Sequence, residues 1–415
     1  MLNLATIIIG IMALPFLVWA AVLFVSGMLP RKAEKAAVTK ALRFAVLVCA
    51  RNEENVIGNL IDSLAFQTYP KSCYEIFVVA HNCTDNTAAI AQEYGATVIE
   101  AQNPSERCKG DAMRHGIDYI TKKHQADFDA LCVFDADNLV NAHFLSEMNK
   151  ALQGDADGAL GMRDSHNAHK SAISEAFALY WLVNARVNHA SRSLLHLPCF
   201  LQGTGFAIKL DILPKEGWRT FTLTEDIEFS IQQMLLSHHF TFVKDAVFYD
   251  EQPCDTKTWF HQIFRWMFGT KQCISYLPKI LDNVRGKALQ VWDMLWYILS
   301  FAVGGITFGA QVLLLISSTF SAKEFFTVAR GCVVQLALML VVTWLLSAIC
   351  ASRCGKDASA YAKGILIYPF LMASMFALFL ASVFLRTCDW KPIAHGVEKS
   401  KKKRRKHTFS EEFRW

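Results

Sequence analysis

The chain has 415 residues, 53% of them hydrophobic and only 19% charged, whereas soluble domains usually carry about 25% charged residues. This composition excludes disordered, collagen-like and coiled-coil chains and favours a membrane protein with a main domain and a second region. The net charge of +5 comes from the C-terminal segment, since residues 386–415 hold ten lysines and arginines against four acids.

The first predicted element is an apolar helix at the N-terminus. Residues 1–30 contain no charged side chain, and a membrane-spanning helix needs about 20 apolar residues. Arg31, Lys32 and Lys35 follow directly, which favours a cytoplasmic location for the residues after the span. The alternative, a signal peptide, lacks its usual basic start and has too long an apolar segment.

Short apolar runs then alternate with helical patterns. The helical patterns cover Asn55–Gln67 and Asn86–Tyr94. Near-continuous apolar runs are typical of parallel strands that are buried on both faces. We therefore predict an α/β, Rossmann-like domain with a mostly parallel sheet. Its predicted strands are residues 44–50, 75–80, 96–100 and 130–134.

Polar residues follow the first two strands, at the sheet edge where ligands bind in such folds. The polar loop of residues 51–55 is a weak signal by itself. His81 ends the second strand and is placed to face a ligand. The following Asp85, Asn86 and Thr87 are more simply explained as turn and helix-cap residues.

Two further signals suit a phosphorylated ligand. Lys109 and Gly110 precede a predicted helix, and a lysine beside a helix N-terminus favours an anionic group. The fourth strand ends in Asp135-Ala136-Asp137. Two carboxylates so close together repel each other unless a cation binds, and Mg²⁺ and Mn²⁺ bridge carboxylates to phosphates. The D-x-D pattern also occurs by chance.

A glycine-containing segment and an acidic helix start follow. Gln202-Gly203-Thr204-Gly205 precedes Thr224-Glu225-Asp226, which leads into a helical apolar pattern. The simple explanation is an N-cap threonine with two acids in the first helical turn. The functional explanation makes one carboxylate a general base that accepts a proton from a hydroxyl group. Both can hold at once.

The segment 262–266 reads Gln-Ile-Phe-Arg-Trp. On a helix, Gln262, Arg265 and Trp266 share one face. Tryptophan stacks on sugar rings, glutamine bonds hydroxyl groups and arginine pairs with phosphates. The alternative is an aromatic stripe at the membrane boundary, because four other aromatic residues flank the motif: Trp259, Phe260, Phe264 and Phe268.

Three uncharged runs near the C-terminus, residues 294–322, 331–352 and 364–385, are each long enough to span a membrane. Pro369 makes the third the weakest. With the N-terminal span they place the basic tail outside, against the positive-inside rule. Either one run is re-entrant or interfacial, or one run crosses the membrane twice, or the rule does not hold for this chain. The twelve cysteines show no zinc-site spacing and suggest reduced thiols.

Taken in order, D-x-D, T-E-D and Q-x-x-R-W between membrane spans resemble the membrane-embedded family 2 glycosyltransferases. Cellulose, hyaluronan, chitin and poly-N-acetylglucosamine synthases belong to that family. The resemblance covers about residues 40–285, and Trp390–His395 also resembles tails of bacterial members. It implies a GT-A fold, a nucleotide-diphosphate sugar that is usually UDP-linked, and Mg²⁺ or Mn²⁺.

The resemblance also implies roles for individual residues. It makes Asp226 the catalytic base and Asp137 the metal ligand. His81 departs from the family pattern, in which an aspartate is usual at that strand end. The implied nucleotide-sugar contacts are Glu53, His81, Lys109, Asp135 and Arg265, and the implied acceptor contacts are Gly203, Thr204, Glu225, Gln262 and Trp266.

The predicted function is processive, inverting polymerisation of UDP-glucose or UDP-N-acetylglucosamine into a β-linked polysaccharide that leaves through the plasma membrane. The expected partners are the donor, the growing polymer and the bilayer, with a homo-oligomer or accessory subunit left open and no nucleic acid. The first alternative is transfer of one sugar to a lipid carrier. The second is a transporter or scaffold with an inactive transferase domain.

The sequence predicts five regions, with the catalytic domain in the cytoplasm of a multi-pass protein. They are an N-terminal helix (1–30), a GT-A domain (31–252), interfacial helices (253–288), C-terminal spans (289–386) and a basic tail (387–415).

Overall fold

The computed structural model describes residues 2–30, 39–106, 108–124, 127–284, 287–318 and 322–388. The described chain forms two compact units. The sheet unit contains all the strands, and the helical unit contains the N-terminal helix, a middle helical segment and the helices after residue 252. The predicted basic tail and Trp390–His395 lie outside the described residues.

The sheet unit is built on one eight-stranded sheet. Its strands are β1 Phe44–Ala50, β2 Tyr74–His81, β3 Thr97–Ala101, β4 Ala130–Asp135, β5 Leu139–Val140, β6 Gly158–Ser165, β7 Phe206–Lys209 and β8 Phe240–Asp250. The four predicted strands are confirmed, each within a residue of its predicted ends. Each is a continuous apolar run between polar loops, as burial on both faces requires.

The strand order is β3-β2-β1-β4-β7-β6-β8-β5. The first four strands in this order are parallel, and β7 joins antiparallel to both β4 and β6. This mostly parallel, mixed sheet is a GT-A, Rossmann-like fold, as predicted. The parallel strands bring Ala50, His81 and Asp135 to one edge of the sheet, because their carboxyl ends point the same way.

Helices cover both faces of this sheet. Alternate side chains of β1 enter two separate apolar cores, with Val46 and Val48 in one and Ala45 and Leu47 in the other. The helices of the sheet unit are α2 Ile57–Ala65, α3 Thr87–Glu93, α4 Lys109–His124, α5 Phe144–Leu152 and α8 Glu225–Leu235. The predicted helices over Asn55–Gln67 and Asn86–Tyr94 are confirmed with slightly shorter bounds.

The helical unit consists almost entirely of helices. They are α1 Leu2–Met28, α6 Ala172–Val183, a π-helical segment Asn184–Ala190, α7 Ser191–Leu194, α9 Thr256–Cys273, α10 Leu277–Asp282, α11 Ala288–Ser318, α12 Ala322–Arg353 and α13 Ala362–Val383. Four of these, α1 and α11 to α13, are long and apolar enough to cross a membrane. Pro369 lies inside one continuous helix, α13.

A buried ion pair joins three segments of the helical unit. Arg192 donates two hydrogen bonds to Asp293, at 2.8 and 3.0 Å, and the indole of Trp19 donates a third at 3.0 Å. Arg192 and Asp293 are almost fully buried. A buried charge pair is tolerated when its remaining polar atoms are also bonded, which is the case for this carboxylate. The pair therefore fixes α1, α7 and α11 together.

Candidate active site

Lys109 binds the first carboxylate of the D-x-D motif. It is the first residue of α4, and its ammonium group donates to Asp135 Oδ1 and, at 2.7 Å, to the carbonyl oxygen of Gly203. Burial lowers the pKa of Lys109, but the carboxylates of Asp135 and Glu225 outweigh burial and raise it. The site thus keeps a fixed positive charge at the sheet edge.

The D-x-D loop is tied to the glycine-containing segment. The backbone N–H of Asp135 donates to Thr204 Oγ1 at 2.9 Å, and the Thr204 hydroxyl donates to Asn138. Asn138 also donates to Asp137 at 3.3 Å and to Asp250 at 2.9 Å. Thr204 and Asn138 are buried, so these bonds hold Asp137 in a defined orientation.

The glycines of this segment are required by backbone geometry and space. Gly203 and Gly205 have φ angles of +75° and +65°, which L-residues rarely adopt. A Cβ atom at Gly205 would lie 2.0 Å from the ring of Phe248. Arg163 donates to the carbonyl oxygen of Gln202 and lies 3.6 Å from Asp250. The segment is therefore rigid beside the carboxylates.

Asp226 lies in the first turn of α8, next to Gly203. A Cβ atom at Gly203 would lie 3.7 Å from Asp226 Oδ2. Burial raises the pKa of the Asp226 carboxyl, while the N–H of Ile227 and the charges of Lys109 and Arg163 lower it to a smaller extent. A carboxylate with a raised pKa beside a cationic pocket suits a general base.

The other two acids at this helix start differ in their surroundings. Glu225 is buried, and a Cβ atom at Gly110 would lie 3.4 Å from its Cβ, so the starts of α4 and α8 are adjacent. Glu228 accepts the backbone N–H groups of Phe221 and Thr222 at 2.7 Å each. Thr224 occupies the N-cap position without a side-chain cap bond, so the predicted cap is confirmed in position only.

The polar loops after β1 and β2 hold each other. Asp85 Oδ1 accepts the N–H of Thr87 at 3.0 Å, and Asn86 is the N-cap of α3 without a side-chain cap bond, so the interpretation of these residues as turn and helix-cap residues is confirmed in position only. The Thr87 hydroxyl accepts the N–H of Glu53 at 2.8 Å, and Asp85 accepts the N–H of Glu54 at 3.1 Å. Glu53 therefore lies at the sheet edge, in the same loop pair as the end of β2.

His81 is buried at the end of β2, and burial lowers its pKa despite a bond to Glu106. Its Nε2 lies 3.3 Å from Glu106 Oε2, and the Nε2 of His115 lies 2.7 Å from the same oxygen. The sequence indicated His81 but neither Glu106 nor His115.

Gln262, Arg265 and Trp266 lie on α9 in the helical unit, which confirms their predicted helical spacing. The Trp266 ring stacks on Tyr180 with centroids 6.1 Å apart and contacts Trp181 at 5.6 Å. Gln262 Oε1 is buried without a hydrogen-bond partner, and Arg265 makes no ion pair with any residue that the structure describes.

Comparison with known proteins identifies the family to which the chain belongs. The sequence profile described as glycosyltransferase like family 2 matches residues 42–269, more than half of the chain. The chain belongs to this glycosyltransferase family. The GT-A fold is also that of a solved structure, the mannosyltransferase PcManGT from Pyrobaculum calidifontis in complex with GDP-Man and Mn²⁺, with a TM-score of 0.62. That alignment covers 92% of this chain and 98% of the other at 14% identity.

Two curated relatives are similar in sequence to this glycosyltransferase family member. The probable glycosyltransferase YdaM of Bacillus subtilis (strain 168) is 25% identical over 268 residues, which cover 62% of each chain. The beta-monoglucosyldiacylglycerol synthase of Nostoc sp. (strain PCC 7120 / SAG 25.82 / UTEX 2576) is 25% identical over 272 residues, 62% of this chain and 55% of the relative. The match thus spans less than two thirds of either relative.

The site of this glycosyltransferase fits a divalent cation at Asp137. Mg²⁺ and Mn²⁺ prefer oxygen ligands and are commonly held by one or two carboxylates together with substrate phosphates. Lys109 binds Asp135, whereas Asp137 is oriented by the amide of Asn138. This donor set suits a metal that also contacts a diphosphate.

The structure brings most of the predicted residues of the sheet unit together around the glycine-containing segment: Lys109, Asp135, Asp137, Gly203, Thr204, Glu225 and Asp226. Glu53 lies in the loop after β1, and His81 ends β2 at the same sheet edge. Sequence reasoning missed Arg163, Asp250 and Asn138, which order this site. The position of Asn138 directly after D-x-D was the one available signal.

Proposed function

We propose that this protein is a membrane-embedded, inverting glycosyltransferase that uses a UDP-sugar and extends a β-linked polysaccharide processively. The observation that carries the proposal is the position of Asp226, a carboxylate with a raised pKa beside Gly203, in a site that also holds Lys109 and the D-x-D carboxylates. A base and a cationic diphosphate site are the two groups that such a transfer needs.

The donor diphosphate would bind between Lys109 and Asp137. A divalent metal held by Asp137 would offset negative charge on the diphosphate as it leaves. Lys109, which stays protonated because its pKa is raised, supplies a second positive charge. Glu53 in the loop after β1 and His81 at the end of β2 would hold the nucleoside. Charge stabilisation of a leaving group by fixed, partly buried cations is usually a large catalytic term.

In the transfer step Asp226 accepts the proton of the acceptor hydroxyl. The hydroxyl oxygen attacks the anomeric carbon of an α-linked donor, and the bond from that carbon to the diphosphate oxygen breaks. UDP leaves with the bonding electron pair. One displacement inverts the anomeric configuration, so the product linkage is β. Glu225 and the segment Gly203–Thr204 would position the acceptor sugar beside the base.

The motif on α9 supports an extended acceptor. Trp266 offers an aromatic face next to Tyr180 and Trp181, and Gln262 offers an unbonded, buried carbonyl oxygen to a sugar hydroxyl. Arg265 would bind the donor diphosphate. Processive synthesis requires a group that holds the product between successive additions, and these side chains would supply it.

The domain arrangement is part of the same proposal. We assign residues 31–252 to a cytoplasmic catalytic domain, 253–288 to interfacial helices and 289–386 to the region through which the polymer leaves. The four long apolar helices support a multi-pass location in the plasma membrane. A homo-oligomer or an accessory subunit is compatible with this arrangement.

A second candidate function is transfer of a single sugar to a lipid acceptor. The similarity to beta-monoglucosyldiacylglycerol synthase favours it, because the name of that relative describes a glycolipid product. The same base, metal ligand and lysine would serve this reaction. The two candidates differ only in the acceptor and in the number of transfers per acceptor.

The experiment that tests the common part is UDP release from a panel of UDP-sugars by the full chain, purified in detergent with Mg²⁺ or Mn²⁺. We expect one sugar to support release and chelation by EDTA to abolish it. No release above that of the Asp226→Asn variant with any donor, with and without added membrane lipids, would contradict the proposal.

A further inference from the structure

Three metal-ligating side chains from three segments of the sheet unit converge beside the end of β2. They are His81 from β2, Glu106 from the loop before α4, and His115 from α4. The ligand atoms of all three lie within 4.8 Å of one another. The cluster shares His81 with the proposed nucleoside site but has no residue in common with the D-x-D metal site.

Both histidines direct the same ring nitrogen to the same oxygen. His81 Nε2 lies 3.3 Å, and His115 Nε2 2.7 Å, from Glu106 Oε2. The imidazole rings have centroids 6.0 Å apart. Two imidazole nitrogens and one carboxylate oxygen form a donor set found in three-ligand zinc sites, where a water or another ligand completes a tetrahedron. These donors are also softer than those Mg²⁺ prefers.

The outer contacts of the cluster orient Glu106. Arg114 donates to Glu106 Oε1 at 2.7 Å and to Asp111 at 3.1 Å, which leaves Oε2 facing the two histidines. The side chain of His81 is 4% exposed and that of Glu106 is 14% exposed. Metal ligands are usually oriented by such outer hydrogen bonds, so the arrangement is largely formed before any ion binds.

We propose that His81, Glu106 and His115 form a binding site for a transition-metal ion of the Zn²⁺ type, separate from the Mg²⁺ or Mn²⁺ site at Asp137. The ion takes the place of the hydrogen bonds that now join the two histidines to Glu106. The spacing of the cysteines gave no sign of such a site, because none of its ligands is a cysteine.

The location of the site gives it a consequence for the donor pocket. It links the end of β2 to α4, and the first residue of α4 is Lys109, which binds Asp135. A bound ion therefore fixes the helix that carries the donor lysine to the strand end that we assign to the nucleoside. This consequence rests on the proposed function, whereas metal binding itself does not.

The test uses the full chain in detergent, stripped of metal and free of nucleotide, with Zn²⁺ alone as the probe. We expect the wild type to bind one Zn²⁺ that His115→Ala and Glu106→Gln bind at least about 100-fold more weakly, since even outer contacts of a metal site contribute about 10- to 100-fold. His143→Ala, which removes a histidine elsewhere in the sheet unit, is the control and should bind as the wild type does.

Two further readouts keep the test independent of folding and of catalysis. Zn²⁺ should raise the thermal midpoint of the wild type and of His143→Ala but not that of His115→Ala, because an ion that binds only the folded chain stabilises it. Co²⁺ should give the visible spectrum of a low-coordinate, nitrogen-ligated ion. Equal Zn²⁺ affinity in wild type and in a folded His115→Ala variant would overturn the proposal, whatever the outcome of the UDP-release assay.

Discussion

At the residue scale, burial and the neighbouring cations shift the pKa of Asp226 in opposite directions. Removal of the carboxylate from water disfavours its charged form and raises its pKa, which makes it a stronger proton acceptor. The charges of Lys109 and Arg163 favour the ionised form and oppose part of this rise in pKa. The charged form that the proposed base needs is therefore unfavourable for the fold at this position.

Replacement of Asp226 by asparagine is expected to lower the transfer rate by about 10²–10⁴-fold, the usual contribution of a general base. UDP should still bind, because Lys109 and Asp137 are unchanged. The thermal midpoint at neutral pH should not fall, since the variant removes a desolvated charge. Asp245→Asn, at an exposed surface position, is the matched control. Substantial activity of Asp226→Asn would remove this residue from the proposed role.

The raised pKa of Asp226 also predicts a pH dependence. The base must be ionised, so kcat/KM should fall as the pH falls through a value higher than that of an ordinary aspartate. For stability, a carboxyl whose pKa is higher in the folded than in the unfolded chain contributes stability below its unfolded pKa. That contribution is lost as the pH rises through the folded pKa. Asp226→Asn should flatten this part of the stability curve, and a fall in stability as steep as that of the wild type would contradict the assignment.

At the scale of elements, the segment Gly203–Gly205 links β7 to the carboxylates. It carries two residues with positive φ and accepts a hydrogen bond from Lys109 at Gly203, while Arg163 donates to the preceding residue, Gln202. The hydroxyl of Thr204 ties it to the backbone of Asp135. Its conformation therefore bears on the positions of the proposed metal ligand, Asp137, and of the proposed base, Asp226.

The variant Gly205→Ala is expected to reduce the free energy of unfolding by about 1–3 kcal/mol, because the new methyl group overlaps the ring of Phe248. The control variant is Gly95→Ala, which introduces backbone strain at a positive φ without any steric overlap. Gly95 has a φ of +90° but no atom within 4 Å of an added Cβ. Denaturant titration should show a larger loss for Gly205→Ala. Equal losses would mean that strain alone, and not the Phe248 contact, requires this glycine.

On α9, Trp266→Ala is expected to shorten the product while UDP release continues, because the acceptor loses an aromatic surface and the base is unaffected. Phe260→Ala is the control, since Phe260 is another aromatic residue of the same helix and is 43% exposed. The measurement is the size of the product on a gel or by chromatography. Unchanged chain length in Trp266→Ala would contradict a role in holding the polymer.

At the scale of the whole molecule, the sequence alone located much of the fold. The strands β1 to β4 could be predicted because each is a buried apolar run that ends in a polar loop, and the four long helices because their apolar stretches exceed a membrane thickness. The antiparallel insertion of β7 between β4 and β6 could not be predicted. Apolar patterns define strands but do not define which strands pair.

The sequence likewise predicts part of the candidate site but not all of it. Lys109, Asp135 and Asp226 each stand at the end or start of a predicted element, so local pattern sufficed. Arg163 and Asp250 lie 87 positions apart and meet only because β6 and β8 pair in parallel. The cluster of His81 and Glu106 likewise depends on the path of a loop, which no local pattern describes.

The central claim is tested most directly by the size and linkage of the product that the purified full chain makes from its active UDP-sugar. The account predicts a β-linked polymer that appears at full length while most acceptor remains unused. A single-sugar glycolipid would contradict processive synthesis and favour the lipid-acceptor function. An α-linked product would contradict the single displacement in which Asp226 acts as the base.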